Sequence, residues 1–164
     1  MFRALIVLVF LQTAFTSLAS HVMGGEITYK HIGNGNYQFE LVFYRDCNGA
    51  DVNAVSETLR VWNHPSLNAI PLLFVQRQDL SPSCTQVPGG AGPLLCGTGN
   101  NGGNGIGAIE KVIYRSAPIA LSGTPPAQGW AFTYENFSRS GALTNLSNPS
   151  TYGITLVAKI FNLS

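Results

Sequence analysis

At 164 residues the chain is of one-domain length. Nine basic residues against eight acidic ones leave a formal charge of +1, so the charge balance gives no case for nucleic acid or an anionic membrane as partner. Only 10% of residues are charged, which favours an uncharged surface of Asn, Ser, Thr and Gly, as extracellular β proteins often have.

Residues 1–19 read as a cleavable signal peptide. Met1-Phe2-Arg3 is a basic start, Ala4 to Leu11 is an apolar run, and Ser17 and Ala19 are the small residues of a cleavage site. A membrane anchor is the competing reading, but the uninterrupted run falls short of the roughly 20 residues a spanning helix needs. No later segment is long and apolar enough to span a bilayer. Residues 20–164 then form one domain, and cleavage, which removes Arg3, leaves its charge balanced.

The dominant period in that domain is two, the mark of strands. Ile27 and Tyr29 alternate with Glu26, Thr28 and Lys30; Tyr37, Phe39, Leu41 and Phe43 share one face of the run from Asn36 to Arg45. Asn34-Gly35 between them suits the positive φ angles of a tight turn, so 26–45 is expected to be a hairpin. Further strands are expected at 57–63, 70–76, 109–115, 128–135 and 152–162. Proline and glycine make loops of 79–107 and 116–127. About seven strands separated by turn signals predict an all-β, immunoglobulin-like two-sheet β-sandwich with long Gly/Pro/Asn-rich loops. A small barrel is the alternative.

Few residues carry chemistry in a recognisable pattern. Asp46, Asn48 and Asp51 form a candidate calcium loop, with Glu57 at the twelfth position from Asp46. Ala50 and Asp51 stand where the helix-flanked loop wants an oxygen ligand and a glycine, so only a different calcium geometry would fit. A strand-end turn capped by Asp46 and Asn48 is the simpler reading. Gly97-Thr98-Gly99-Asn100-Asn101-Gly102 matches a dinucleotide turn in form, but no strand precedes it and no helix follows. It reads as a mobile loop extending to Gly107. His21, His31 and His64 lack metal-ligand spacing. No serine elbow or pair of carboxylates stands out, so no catalytic or cofactor-binding residue is assigned. Tyr29, Tyr44, Trp62, Trp130 and Tyr134 could form a sugar platform, although alternating aromatics are more often core.

Three cysteines remain in what should be an oxidising compartment. Cys84 and Cys96 bracket an irregular Pro/Gly loop, where a bridge would restrain a chain with little packing of its own, so they are expected to form a disulfide. Cys47 is then the odd one, free and buried.

The segment Ser20-His-Val-Met-Gly-Gly-Glu-Ile-Thr-Tyr29 and the later Asn36-Tyr-Gln-Phe-Glu-Leu-Val-Phe-Tyr-Arg-Asp-Cys-Asn-Gly49 resemble the N-terminal module of gliding-motility-associated, adhesin-like secreted surface proteins of Bacteroidetes-type bacteria. The stretch from Trp130 to Pro149 is similar to that family's later aromatic strand and the polar positions after it. The resemblance implies export and a surface role, and carries over no catalytic residue. The family commonly has Cys-Cys-Arg-Asn where this chain has Phe137-Ser138-Arg139-Ser140, which removes partners for Cys47. Its members tend to continue into further β domains and a C-terminal sorting domain, neither of which is present up to Ser164.

The resulting expectation is a non-enzymatic binding or structural module, secreted or at the cell surface. Its partners would be other β domains, surface proteins or glycans; the mature chain would neither bind nucleic acid nor insert in a membrane. A carbohydrate-binding module is the alternative, and a secreted hydrolase stands third. The exported protein is predicted to begin at Ser20. N-terminal sequencing of extracellular material checks this, and intact Met1 on membrane-embedded protein would refute it.

Overall fold

The computed structural model describes residues 22–49, 51–52, 54–84, 87, 92–97, 102–137, 139–140 and 143–162. The expected signal peptide, Ser20 and His21 lie outside these residues. Strand β1, Val22–Gly33, and strand β2, Asn36–Asp46, form the expected hairpin, paired from Val22↔Arg45 to Gly33↔Asn36. Asn34 and Gly35 have φ of 53° and 70°, the paired left-handed conformation of a type I′ turn, whose twist matches that of the strands.

Six more strands follow: β3 Ser56–Trp62, β4 Ala69–Asp79, β5 Ile109–Arg115, β6 Ile119–Ala120, β7 Trp130–Asn136 and β8 Ile154–Ile160. A 3-10 turn at Pro149–Thr151 precedes β8. The expected segments coincide with β3, β5, β7 and β8 to within about two residues, within the usual uncertainty of strand ends. The larger differences are β1, which begins at Val22 rather than at 26, β4, which continues to Asp79, and the two-residue β6 inside the expected 116–127 loop. Every pairing between named strands is antiparallel, and one hydrogen-bonded path runs β1-β2-β5-β4-β3-β7-β8, with β6 beside β2; an isolated parallel bridge joins Val22 to Arg139. The fold is therefore all-β, a single antiparallel sheet whose terminal strands β1 and β8 come side by side and nearly close it.

The alternation read in the sequence decides what faces inward. Phe39, Leu41 and Phe43 of β2 meet Leu59 and Val61 of β3, Ile70 and Leu72 of β4, Val112 and Tyr114 of β5, and Trp130, Phe132 and Tyr134 of β7. Phe39 and Phe132 face each other across this core with ring centroids 4.5 Å apart, and Phe43 stacks on Tyr134 at 5.9 Å. Burying each such ring contributes about 1.5–3 kcal/mol.

One irregularity changes the pattern. The β4–β5 register shifts between Phe74 and Gln76, so an extra residue is accommodated at Val75. Ile70, Leu72 and Phe74 share one parity, and beyond the bulge Arg77 and Asp79 take over that inward side. The sheet interior thus changes from apolar to charged within β4.

The β1–β8 seam is held by side chains rather than a ladder. A Cβ on Gly25 would lie 2.6 Å from the Val42 carbonyl oxygen and 2.9 Å from Leu156 Cδ1, so glycine is what lets β8 pack against β1 there. Lower on the seam the Tyr29 hydroxyl donates to the Lys159 carbonyl at 3.0 Å. At the other end the Ser140 amide donates to the Val22 carbonyl at 3.0 Å.

Candidate functional site at the charged end of the sheet

Register alone assembles the site. Arg45 of β2 lies opposite Glu110 of β5, which lies opposite Asp79 of β4. Arg45 and Glu110 are almost fully buried, and Arg45 Nε donates to Glu110 Oε1 at 2.6 Å. A second guanidinium nitrogen of Arg45 donates to the Gly49 carbonyl at 2.9 Å. Arg77 reaches the same carboxylate at 3.3 Å, Asp51 at 2.5 Å and the Val52 carbonyl at 3.2 Å. A cleft of about 400 Å³ opens here, lined by Asp51, Arg77, Asp79, Cys96 and Glu110 among others.

Burial alone would push the Asp51 carboxyl upward. The Arg77 hydrogen bond, the Val52 amide and the charges of Arg77 and Arg45 outweigh it and hold Asp51 below the usual carboxylate range. Asp79 is likewise lowered: burial opposes ionisation, but hydrogen bonds from Ser81 and from the Cys96 amide prevail. These carboxylates are fixed as anions between donors, an arrangement suited to holding structure.

The disulfide differs from expectation. Cys47 bridges Cys96, with Cα atoms 5.6 Å apart, and Cys84 is the free, exposed cysteine. Nearness along the chain favoured Cys84–Cys96, but the ladder favours the distant partner. The Cys47 amide donates to Ala108 at 2.9 Å, and the Gly103 amide donates to the Cys47 carbonyl at 3.1 Å. Asp79 Oδ2 accepts the Cys96 amide at 2.7 Å, which draws Cys96 to the end of β4, across β5 from the end of β2. Cys47 is buried as expected, yet bonded rather than free. Such a bridge fits an oxidising, extracytoplasmic compartment. No helix among the described residues is long and apolar enough to cross a membrane.

The expected mobile loop is also tied down where it is described. Asn104 Oδ1 accepts the Leu95 amide at 2.8 Å, Asn104 Nδ2 donates to Pro93 at 3.0 Å, and Asn48 Nδ2 donates to Gly105 at 2.9 Å. Leu94 and Ala108 are buried. Gly97 and Gly102 close on each other, the Gly97 amide donating to the Gly102 carbonyl at 2.6 Å. Residues 98–101 lie outside the described residues. Among the described residues the next element after this turn is strand β5, so the amides of a phosphate-binding helix start are not assembled there.

The calcium candidates separate. Asp46 Oδ1 accepts the Asn48 amide at 2.9 Å and Asn48 Nδ2 at 3.0 Å, the strand-end turn that was the simpler reading. Asp51 instead joins Arg77 and Arg45, whose positive charges oppose a cation. Among the described residues no group of three or more His, Cys, Asp or Glu could hold a metal ion. His31 packs against Tyr37 with ring centroids 5.0 Å apart, while His64 Nδ1 accepts the Ser66 and Leu67 amides with its ring 4.6 Å from Trp130. The five aromatics do not form one platform: Trp130 and Tyr134 are core, whereas Trp62 is half-exposed on β3 and Tyr29 lies at the seam.

Like Glu110 and Asp79, Glu57 is an inward carboxyl that was not anticipated as such. Glu57, half-buried on β3, accepts a hydrogen bond from Tyr134, and Asn136 Nδ2 donates to the same phenol oxygen at 3.3 Å. Burial raises Glu57 above the usual range despite that hydrogen bond, and burial first, then the Glu57 charge, pushes Tyr134 up to about 12. The signal for the whole site was the inward parity, which continues from Phe43 to Arg45 and Cys47 and from Val112 back to Glu110.

These shifts predict opposite pH effects. Asp51 and Asp79 are lowered, so their contribution is full above about pH 4 and is lost as pH falls through their folded values. Glu57 is raised, so its contribution is full below its unfolded value and is lost as pH rises through its folded one. Asp51→Asn should lower stability at neutral pH and flatten the acid limb; Glu57→Gln should flatten the opposite slope. Urea unfolding across pH 3 to 8 checks both, and unchanged profiles would contradict them.

No protein-family model matches this chain, and neither a curated protein nor a solved structure matches it.

Proposed function

We propose that the chain is an exported, non-enzymatic β module of adhesin-like type that works by contact at or outside the cell surface, with a link to gliding motility. The observation that carries this reading is the state of the buried charges. Arg45, Glu110, Arg77 and Asp51 satisfy one another at 2.5 to 3.8 Å, so the most polar part of the interior is a closed network. Catalysis would need a nucleophile or metal beside a base, with room for a reacting atom between them. Export is supported by the signal-peptide pattern of 1–19 and by the Cys47–Cys96 bridge.

The finer fold belongs to the same proposal. The Phe39–Phe132 and Phe43–Tyr134 contacts set β2 face to face with β7 across the core, which supports two layers of an immunoglobulin-like sandwich within the continuous sheet. In that arrangement β1 and β8 are the terminal strands, and the backbone amides and carbonyls that their mutual seam leaves open are the groups another β domain would pair with.

Screening the full chain against peptide, ester and glycoside substrates should return no turnover above buffer. One reproducible activity that disappears on changing His31, Asp51 or Glu57 would overturn the contact reading.

A further inference from the structure

The outer face of β3-β7-β8 has a shape set by register. Trp62, Ala131 and Lys159 form one row across the three strands, and Arg60, Thr133 and Val157 form the next. The central strand presents small side chains, so it is a floor. Trp62 and Arg60 form one wall; Lys159 and Val157, with Phe161 beyond them, form the other. Two strand spacings separate the flanking backbones by about 10 Å, and the Trp62 indole leans over the floor to donate to Thr133 Oγ1 at 2.9 Å, so the trough is a shallow shelf that is open toward Lys159 and Val157. Trp62 and Phe161 remain half-exposed.

The walls carry unneutralised positive charge. The Arg60 guanidinium lies 5.0 Å from the centre of the Trp62 ring, and Lys159 Nζ lies 5.9 Å from that of Phe161. Among the described residues Arg45, Arg77 and Arg115 have carboxylate partners, whereas Arg60 and Lys159 make no such ion pair. Glu135, one row further on, is the sole carboxylate on the described outer face of these strands.

At Lys159 and Phe161 the trough meets the seam. A cleft of about 260 Å³ opens there, lined by Tyr29, Tyr37, Lys159, Ile160 and Phe161. Tyr29 is held in it by its bond to the Lys159 carbonyl. A cleft walled by aromatic rings suits the apolar face of a pyranose, whose C–H groups pack on the negative face of a ring. Lys159 at its lip selects a sugar that carries a carboxylate, and Arg60 lies two strands further across the same face.

We propose that the seam cleft and the adjoining trough bind an acidic polysaccharide of the polyuronate class. Sugar rings lie against Tyr29, Tyr37 and Phe161, and their carboxylates lie against Lys159 and Arg60. This rests on the contact reading above and gives that contact a ligand class.

Affinity electrophoresis of the full chain through gels containing polygalacturonate, neutral dextran or DNA tests the inference. Polygalacturonate should retard the chain while dextran and DNA do not. Lys159→Glu, Phe161→Ala and the milder Arg60→Gln should each weaken retardation about tenfold. Lys111→Glu, the same charge change on β5, should leave retardation unchanged. A thermal melt of each variant separates lost binding from lost folding. No retardation by polygalacturonate, or equal retardation by DNA, would overturn this inference and leave the contact reading standing. Cleavage of the polymer would overturn the contact reading on which it rests.

Discussion

The buried ion pair between Arg45 and Glu110 is the interaction on which the charged end of the sheet depends. Removing two charges from water costs several kcal/mol per ion, and only good geometry with further hydrogen bonds offsets it. The chain meets that demand from four segments. Glu110 comes from β5, Arg77 from β4 beyond the bulge, Asp51 and Val52 from the loop after β2, and the Gly49 carbonyl from the turn between. A change in any of these would leave a buried charge short of a partner. The network therefore fixes how β2, β4 and β5 end, and with them the position of the loop that lies over them.

Among its described residues that loop buries only Leu94 and Ala108 and leaves Leu80, Leu95 and Ile106 exposed, so polar ties hold its described parts. Asp79 anchors Cys96, Asn104 spans from Pro93 to Leu95, and Asn48 joins Gly105 to the β2 turn. The Cys47–Cys96 bridge ties the same two regions covalently. The other end of the sheet is organised differently. There Tyr29 bonds the Lys159 carbonyl across the seam, with a cleft beside it, while Gly25 admits Leu156 further along the seam toward Arg45. One end is locked by charge and covalent bond, with its cleft lined by groups already engaged with one another; the other has a cleft lined by aromatic rings and Lys159.

Much of this was legible in the sequence because strand period and turn chemistry are local. The Asn34-Gly35 turn and the alternation of Phe39, Leu41 and Phe43 were sufficient to place the first hairpin and its inner face. The same parity extended to Arg45 and Cys47 would have placed both inside. The Val75 bulge was not legible, since an inserted residue leaves no mark in composition, and with it went the inward turn of Arg77. The cysteine pairing failed for a related reason. Cys84 and Cys96 are near in sequence, but strand ends are brought together by register, and register is a property of the whole sheet. The continuous path from β1 to β8 is likewise set by which strands pair, and periodicity says nothing about that.

The central claim is that the buried charges are structural and mutually dependent. A double-mutant cycle on Arg45→Ala and Glu110→Ala, read by urea unfolding at neutral pH, tests it most directly. Each single change should cost about 3–5 kcal/mol, because it leaves the other charge buried without its partner. The double variant should cost well under the sum of the two. Single losses below about 1 kcal/mol that simply add, as for an exposed pair, would contradict the account.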